Sequence, residues 1–266
     1  MSLIIYPPKT PIVGHILDCP IRYYGLIMGI CFIIGVLIAY LVFAKTINKE
    51  EAEKFFDYSP FAILFSLIGA RLFYVFGSYE YYFSNPKEII MLNHGGLSIF
   101  GAIIFGIISL YALSKRYKFD FLTHCDILAV VFPLCQALGR FGNYFNQEAY
   151  GLPCDSFLCL YVDKKFRVDD YINVDYFHPT FLYESMFDVV IFIILLSLYL
   201  KNKKFKKGSI FLLYLILYSI VRFFIESIRI DSVLNIFNLH IAQVISLIIL
   251  MFSIVFLYFI NKKSAD

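Results

Sequence analysis

RYYGLIMGICFIIGVLIAYLVFA occupies residues 22–44 and carries one charge, Arg22, at its first position. An apolar run of about 20 residues is what an α-helix needs to cross a bilayer. Comparable runs recur at 58–79, 94–114, 121–143, 179–200, 209–228 and 240–260. The pattern predicts an all-α, polytopic membrane protein of about seven transmembrane helices. Composition points the same way: of 266 residues, 60% are hydrophobic and 16% charged. A soluble domain of this length needs far more charge to cover its surface. No linker or compositional break separates the runs, so residues 1–266 read as one integral-membrane domain.

The net charge is +3, and the placement of the cations says more than their sum. More than half of the 23 Lys and Arg lie in four segments: Lys45, Lys49 and Lys54; Lys115, Arg116 and Lys118; Lys201, Lys203, Lys204, Lys206 and Lys207; Lys262 and Lys263. These are every second loop plus the tail, so the positive-inside rule predicts an outside N-terminus and a cytoplasmic C-terminus. The basic run 201–207 reads as a solvated loop near anionic lipid, and nucleic acid is not implied. No charged n-region precedes an apolar run at the N-terminus, so no cleavable signal peptide is expected. The expected location is the inner (cytoplasmic) membrane, with several passes.

The connections are short except 144–178, an outside segment by this topology, and loops of that length are commonly functional or flexible. It contains Cys154 and Cys159, which an oxidising compartment would allow to pair. Cys31, Cys125 and Cys135 fall in apolar spans and read as buried, inert thiols. Tyr23, Tyr24, Tyr58, Tyr81 and Tyr82 stand at span ends, as an interfacial aromatic belt requires.

With the loop cations set aside, the remaining cations are all arginines: Arg22, Arg71, Arg140, Arg222 and Arg229. No lysine lies within a span. An ionisable group inside a membrane costs about 3 kcal/mol on insertion scales, and such groups face cavities or pair with one another. Arginine in place of lysine points to fork-like recognition of phosphate or carboxylate. Arg222, Glu226 and Arg229 follow an i, i+4, i+7 pattern and so share one helix stripe. Gln136, Arg140 and Asn143 form a second stripe, with Glu148 just beyond and Asp126 deeper in the same span. Glu184 and Asp188 stand four apart in the fifth span. A buried ion network is a poor route to stability, so the expectation is surplus positive charge reserved for an anion. Glycines flank these charges, notably Gly139 and Gly142 around Arg140. Small residues let membrane helices pack closely, and here they would also let a backbone or headgroup approach the guanidinium.

No HExxH, GxSxG or GxxxxGK[ST] motif occurs, so metalloprotease, serine-hydrolase and P-loop chemistry find no support. His15, His94, His124, His178 and His240 are scattered without metal-ligand spacing. No metal or cofactor is expected. His94 and His178 fall near the outer face, where an imidazole titrates near neutral pH.

GRFGNYFNQEAYG (139–151) resembles the signature segment of the prolipoprotein diacylglyceryl transferases. Similar segments surround it in family order: PIRYYG (20–25), GARLFYV (69–75), GGLSIFG (95–101), HPTFLYE (178–184) and YSIVRFFIESIRIDS (218–232), with Gln243 in the last span. The resemblance covers essentially the whole chain; 139–151 and the RFFIExxRxDS stretch are its specific parts. It implies attack by the thiol of a lipobox cysteine in a preprotein on the glycerol carbon that bears the phosphate of phosphatidylglycerol. A thioether forms and glycerol-1-phosphate leaves. By that resemblance Arg140 and Arg222 would hold the phosphate. Asn143, Glu148, Gly151 and Glu226 would shape the headgroup site, and Tyr24 would sit in the lipid pocket. Arg71, Gln136, Arg229 and His94 complete the expected substrate site, and Arg140, Arg222 and Glu148 are the expected catalytic residues. Two positions depart from the family pattern. Phe100 stands where His or Tyr is usual, leaving deprotonation to water, His94 or Glu148, and Phe181 stands where Gln often follows HPS or HPT. Two other readings remain: a non-enzymatic phospholipid transporter or flippase, and a divergent, catalytically weak paralogue that binds lipid. A transporter usually carries repeated halves with interrupted helices, and no such repeat is visible.

Overall fold

The computed structural model describes residues 3–16, 19–91, 95–201, 205–230, 235–236 and 239–262. Eight α-helices occur among them: α1 (Tyr23–Thr46), α2 (Lys49–Gly77), the short α3 (Tyr79–Ser84), α4 (Ile99–Tyr117), α5 (Phe121–Asn146), α6 (Thr180–Lys201), α7 (Ser209–Glu226) and α8 (Ile241–Lys262). All but α3 are long and apolar enough to cross a membrane. Their outward faces are greasy: Ile248, Met251, Phe252, Val255 and Phe256 of α8 are all exposed. Apolar surface of that extent meets lipid rather than water.

Two boundaries differ from the hydropathy reading for local reasons. α2 begins well before residue 58 because Asn48 caps it, its side chain accepting from the Glu51 N–H at 2.8 Å. Glu50 and Glu51 in the first turn complement the helix dipole. α4 begins at Ile99 rather than 94, because Gly95 and Gly96 adopt φ of 83° and 78°. That left-handed conformation, natural to glycine, is incompatible with a helix.

Contacts divide the chain into two compact units, Met1–Gly35 with Cys125–Asp266, and Val36–His124. In the second unit α2 and α4 pack through small residues. A Cβ on Gly101 would overlap the Gly69 carbonyl, and one on Gly69 would overlap the Phe105 side chain. Close backbone approach replaces the hydrophobic driving force that lipid removes.

The first unit holds a bundle core where Ala129 and Val130 of α5 meet Ile191 and Leu195 of α6 and Ile210 and Tyr214 of α7. Short strands, absent from the helical reading, gather at one end. They are β1 (Leu3–Ile5), β2 (Ile12–Ile16), β3 (Cys19–Arg22), β4 (Leu158–Tyr161), β5 (Tyr176–Phe177), β6 (Asn235–Ile236) and β7 (Leu239–His240). β1 pairs parallel with β4, β4 pairs antiparallel with β5, and β2–β3 and β6–β7 are hairpins. The loop 147–179 thus packs as a structured head whose core contains Tyr150, Leu160, Val162, Phe177 and Phe181. Cys154 and Cys159 form a disulfide there. Of the three free thiols among the described side chains only Cys31 is fully buried; Cys125 and Cys135 are partly exposed, a correction to the sequence reading.

Asp126 lies away from the arginine stripes. Its carboxylate accepts from the N–H groups of Gly208 (2.7 Å) and Phe211 (2.8 Å), capping α7 from α5. Two of the orphan donors at the start of α7 are thereby satisfied where lipid could not satisfy them. Asp126→Ala should destabilise the protein by about 1–3 kcal/mol, read as a lower unfolding midpoint in detergent; an unchanged midpoint would remove this cap from the account of the fold.

Candidate active site

Glu184 is 3% exposed, one turn into α6, and it is the hub of a buried ion cluster. Arg140 of α5 forms an ion pair with its Oε2, and Arg222 Nη1 of α7 lies 2.6 Å from its Oε1. Arg222 Nη2 reaches Glu226 Oε2, one turn on, also at 2.6 Å. Arg229, just past the end of α7, stands 3.7 Å from Glu184 and 3.9 Å from Glu226. The i, i+4, i+7 stripe therefore forms as its spacing predicts. Asp188, the next turn of α6, interacts electrostatically with Arg140 and Arg222 and is fully buried. Its Oδ2 has no hydrogen-bond partner among the described residues.

Arg140, Arg222 and Arg229 face Glu184, Glu226 and Asp188, so among the described residues each arginine has an acidic neighbour. What remains available is donor capacity. Nε and Nη1 of Arg140 have no hydrogen-bond partner among the described residues. An arriving phosphate would take up those donors and compete with Glu184 for the rest.

The surrounding residues divide by what they touch. Asn143 Nδ2 (3.0 Å) and Asn146 Nδ2 (3.2 Å) both donate to Glu148 Oε1. Glu148 sits between Gln147 and Ala149, whose φ of 54° and 57° fold the chain back after α5. Gly142 lies against the Tyr24 ring, which a Cβ there would overlap, so Tyr24 packs directly on GRFGN. Gly151 donates its N–H to the His178 carbonyl and bridges Arg229, with room for nothing larger: a Cβ would lie 2.9 Å from the Ile228 carbonyl oxygen. A cleft of about 360 Å³ opens beside these residues, lined by Arg22, Pro11, Tyr150, Phe166, Val168 and the turn 146–149.

Three expected site residues are engaged elsewhere or lie out of view. Gln136 accepts from the Tyr214 hydroxyl at 2.8 Å, within the bundle core. Arg71 belongs to the second unit, where its five N–H donors bond the carbonyls of Glu88, Ile89, Met91, Gly95 and Gly96. Every prong of that fork is taken by the glycine loop it organises. His94 lies outside the described residues. Conversely, His240, one of the scattered histidines in the sequence, places its Nδ1 3.0 Å from the Glu226 carbonyl. Nothing in local periodicity signals that contact, because residue 240 closes the two-residue strand β7 just before α8.

A family model described as prolipoprotein diacylglyceryl transferase matches residues 11–259. The chain belongs to this family. It is 40% identical over 257 residues to the phosphatidylglycerol--prolipoprotein diacylglyceryl transferase of Clostridium novyi (strain NT), covering 96% of this chain and 97% of the relative. The enzyme of that name from Staphylococcus aureus (strain MSSA476) is 37% identical over 255 residues, covering 94% and 89%. Against the diacylglyceryl transferase pattern, Phe181 has a structural reason: its ring packs at centroid distances of 5.1 Å from Tyr144 and 5.8 Å from Phe141, where an amide would be buried in apolar surroundings. Phe100 is exposed on α4 beside Phe73, in the second unit.

Removing one member of a buried ion cluster costs more than the pair contributes, because the others lose their compensation. Glu184→Ala strands three guanidiniums, so it should be the most destabilising single substitution in the cluster, by about 3 kcal/mol or more. Thermal unfolding of Glu184→Ala and Arg229→Ala in one detergent gives the comparison; equal midpoints would deny Glu184 its place as hub.

Proposed function

We propose that this membrane transferase moves the diacylglyceryl group of phosphatidylglycerol onto the lipobox cysteine thiol of preproteins, forming a thioether and releasing glycerol-1-phosphate. The observation that carries the reading is the Arg140–Glu184–Arg222 arrangement, buried at the ends of α5, α6 and α7, in a chain of this family. Alkyl transfer from a phosphodiester needs stabilisation of the charge that develops on the departing phosphate. The nucleophile belongs to the substrate, so the enzyme need supply none.

The steps follow from the residues. The headgroup phosphate takes the unpaired donors of Arg140 and draws Arg222 from Glu184, exchanging one carboxylate partner for another anion. Glu226 keeps Arg222 oriented through the exchange. Asn143 and Asn146 fix the Glu148 carboxylate, whose remaining oxygen can accept from the glycerol hydroxyls of the headgroup. Tyr24 and the apolar face of α1 flank the acyl chains. As carbon–sulfur bonding grows, the carbon–oxygen bond breaks and its electron pair leaves on the phosphate, where two planar forks spread the charge.

The loop charges support an outside N-terminus and a cytoplasmic C-terminus, so the structured head faces the side on which exported preproteins arrive. The enzyme then works as one integral domain of the cytoplasmic membrane.

Purified protein with phosphatidylglycerol and a lipobox peptide should yield thioether-linked peptide and free glycerol phosphate. Lipid movement without product would assign the site to transport instead. Arg140→Lys and Arg222→Lys keep charge but lose the fork. Each should reduce transfer at least about tenfold, or roughly 1.4 kcal/mol of barrier, with normal expression; wild-type rates in both would sink the phosphate clamp.

A further inference from the structure

The transfer reaction requires the cysteine thiol to lose its proton, and the residues that grip the phosphate are poor takers of it. Both oxygens of Glu184 and Oε2 of Glu226 are paired with guanidiniums. Glu148 Oε1 already accepts from two amides, and Asp188, at 1% exposure, is closed off beneath the cluster. The position that family resemblance reserves for His or Tyr holds Phe100, which has no proton acceptor.

His240 has the geometry that these groups lack. It precedes α8, its main-chain N–H donating to Gln243 Oε1 at 3.0 Å, the half of a capping box in which a Glu or Gln three residues on reaches back. Gln243 Nε2 in turn donates to the Phe223 carbonyl at 3.3 Å, tying the start of α8 to the last turn of α7. These bonds fix the main chain from which the imidazole projects. Its Nδ1 lies 3.0 Å from the Glu226 main-chain carbonyl and 3.9 Å from the Glu226 carboxylate. A carbonyl oxygen can only accept, so Nδ1 carries the hydrogen in the neutral ring and Nε2 is the basic nitrogen. No partner for Nε2 occurs among the described residues. The side chain is 25% exposed and therefore reachable, and it stands one carboxylate away from Arg222.

We propose that His240 is the general base of the transfer, accepting the thiol proton at Nε2. The proposal rests on the diacylglyceryl-transfer reading and deepens it. The thiol proton passes to Nε2 while sulfur bonds to the glycerol carbon. The carbon–oxygen bond to phosphate breaks, and its electrons stay with glycerol phosphate. The imidazolium, whose charge the Glu226 carboxylate stabilises, then returns the proton to the departing phosphate monoester or to water. The same Glu226 so serves both halves of the site: its Oε2 orients the arginine that meets the leaving group, and its carbonyl sets the tautomer of the base.

The test is His240→Gln in full-length protein, assayed with phosphatidylglycerol and a lipobox peptide, with and without added imidazole, alongside retention of phosphatidylglycerol by the purified variant. Expected are a loss of about a hundredfold or more in transfer, the lower end for a general base, lipid retention like that of wild type, and recovery of rate with imidazole. Transfer at the wild-type rate overturns the proposal. So does a loss that imidazole leaves unrepaired, which would make the ring a structural cap. If wild-type protein forms no thioether in the same assay, the functional reading itself falls, and this proposal with it.

Discussion

A carboxylate held between guanidiniums in a medium without water is the contact on which the site is built. Glu184 touches arginines from α5, from α7 and from the segment after α7, so one side chain ties together three parts of the bundle. Each of those charges would be expelled from lipid alone. Together they are tolerable, but a balanced buried network gives little net stability. Its persistence makes sense if the network is meant to open: an incoming phosphate offers the arginines a second anion of the same geometry, and the exchange carries little Coulombic cost. The acidic neighbours of each arginine in the resting site are then an asset, because three unpaired guanidiniums would repel one another in the absence of lipid.

The membrane architecture was legible in the chain because it depends on length and hydropathy, which are local. Boundaries slipped where a single residue overrode hydropathy, at the Asn48 cap and at the left-handed Gly95 and Gly96. The small head was illegible for a different reason. β1 pairs with β4 across most of the chain, and strands of two to five residues carry no periodicity of their own. The disulfide between Cys154 and Cys159 was readable only as an open question, since spacing alone does not decide pairing.

The site was legible where chemistry repeats at helical spacing. Arg222, Glu226 and Arg229 declared themselves in this way, and the roles of Asn143 and Glu148 came from the resemblance of 139–151 to the family signature. It was illegible where a polar side chain serves the backbone. Arg71 looked like a headgroup ligand, but bonds five carbonyls of the loop that precedes α4. Asp126 looked like a counter-ion and instead caps α7. In lipid, an unsatisfied main-chain group is as demanding as an anionic ligand, and sequence alone does not say which of the two an arginine or aspartate will serve. His240 failed to register for the complementary reason: its significance comes entirely from a neighbour 14 residues away, across a turn.

Whether the buried guanidiniums hold a headgroup phosphate is open to direct measurement by native mass spectrometry of the detergent-solubilised protein with equal amounts of phosphatidylglycerol and diacylglycerol, which differ at the phosphate. Wild-type protein should retain phosphatidylglycerol preferentially, and the preference should vanish in Arg140→Gln combined with Arg222→Gln. Equal retention of the two lipids by wild type, or an undiminished preference in the double variant, would contradict the proposed grip on phosphate.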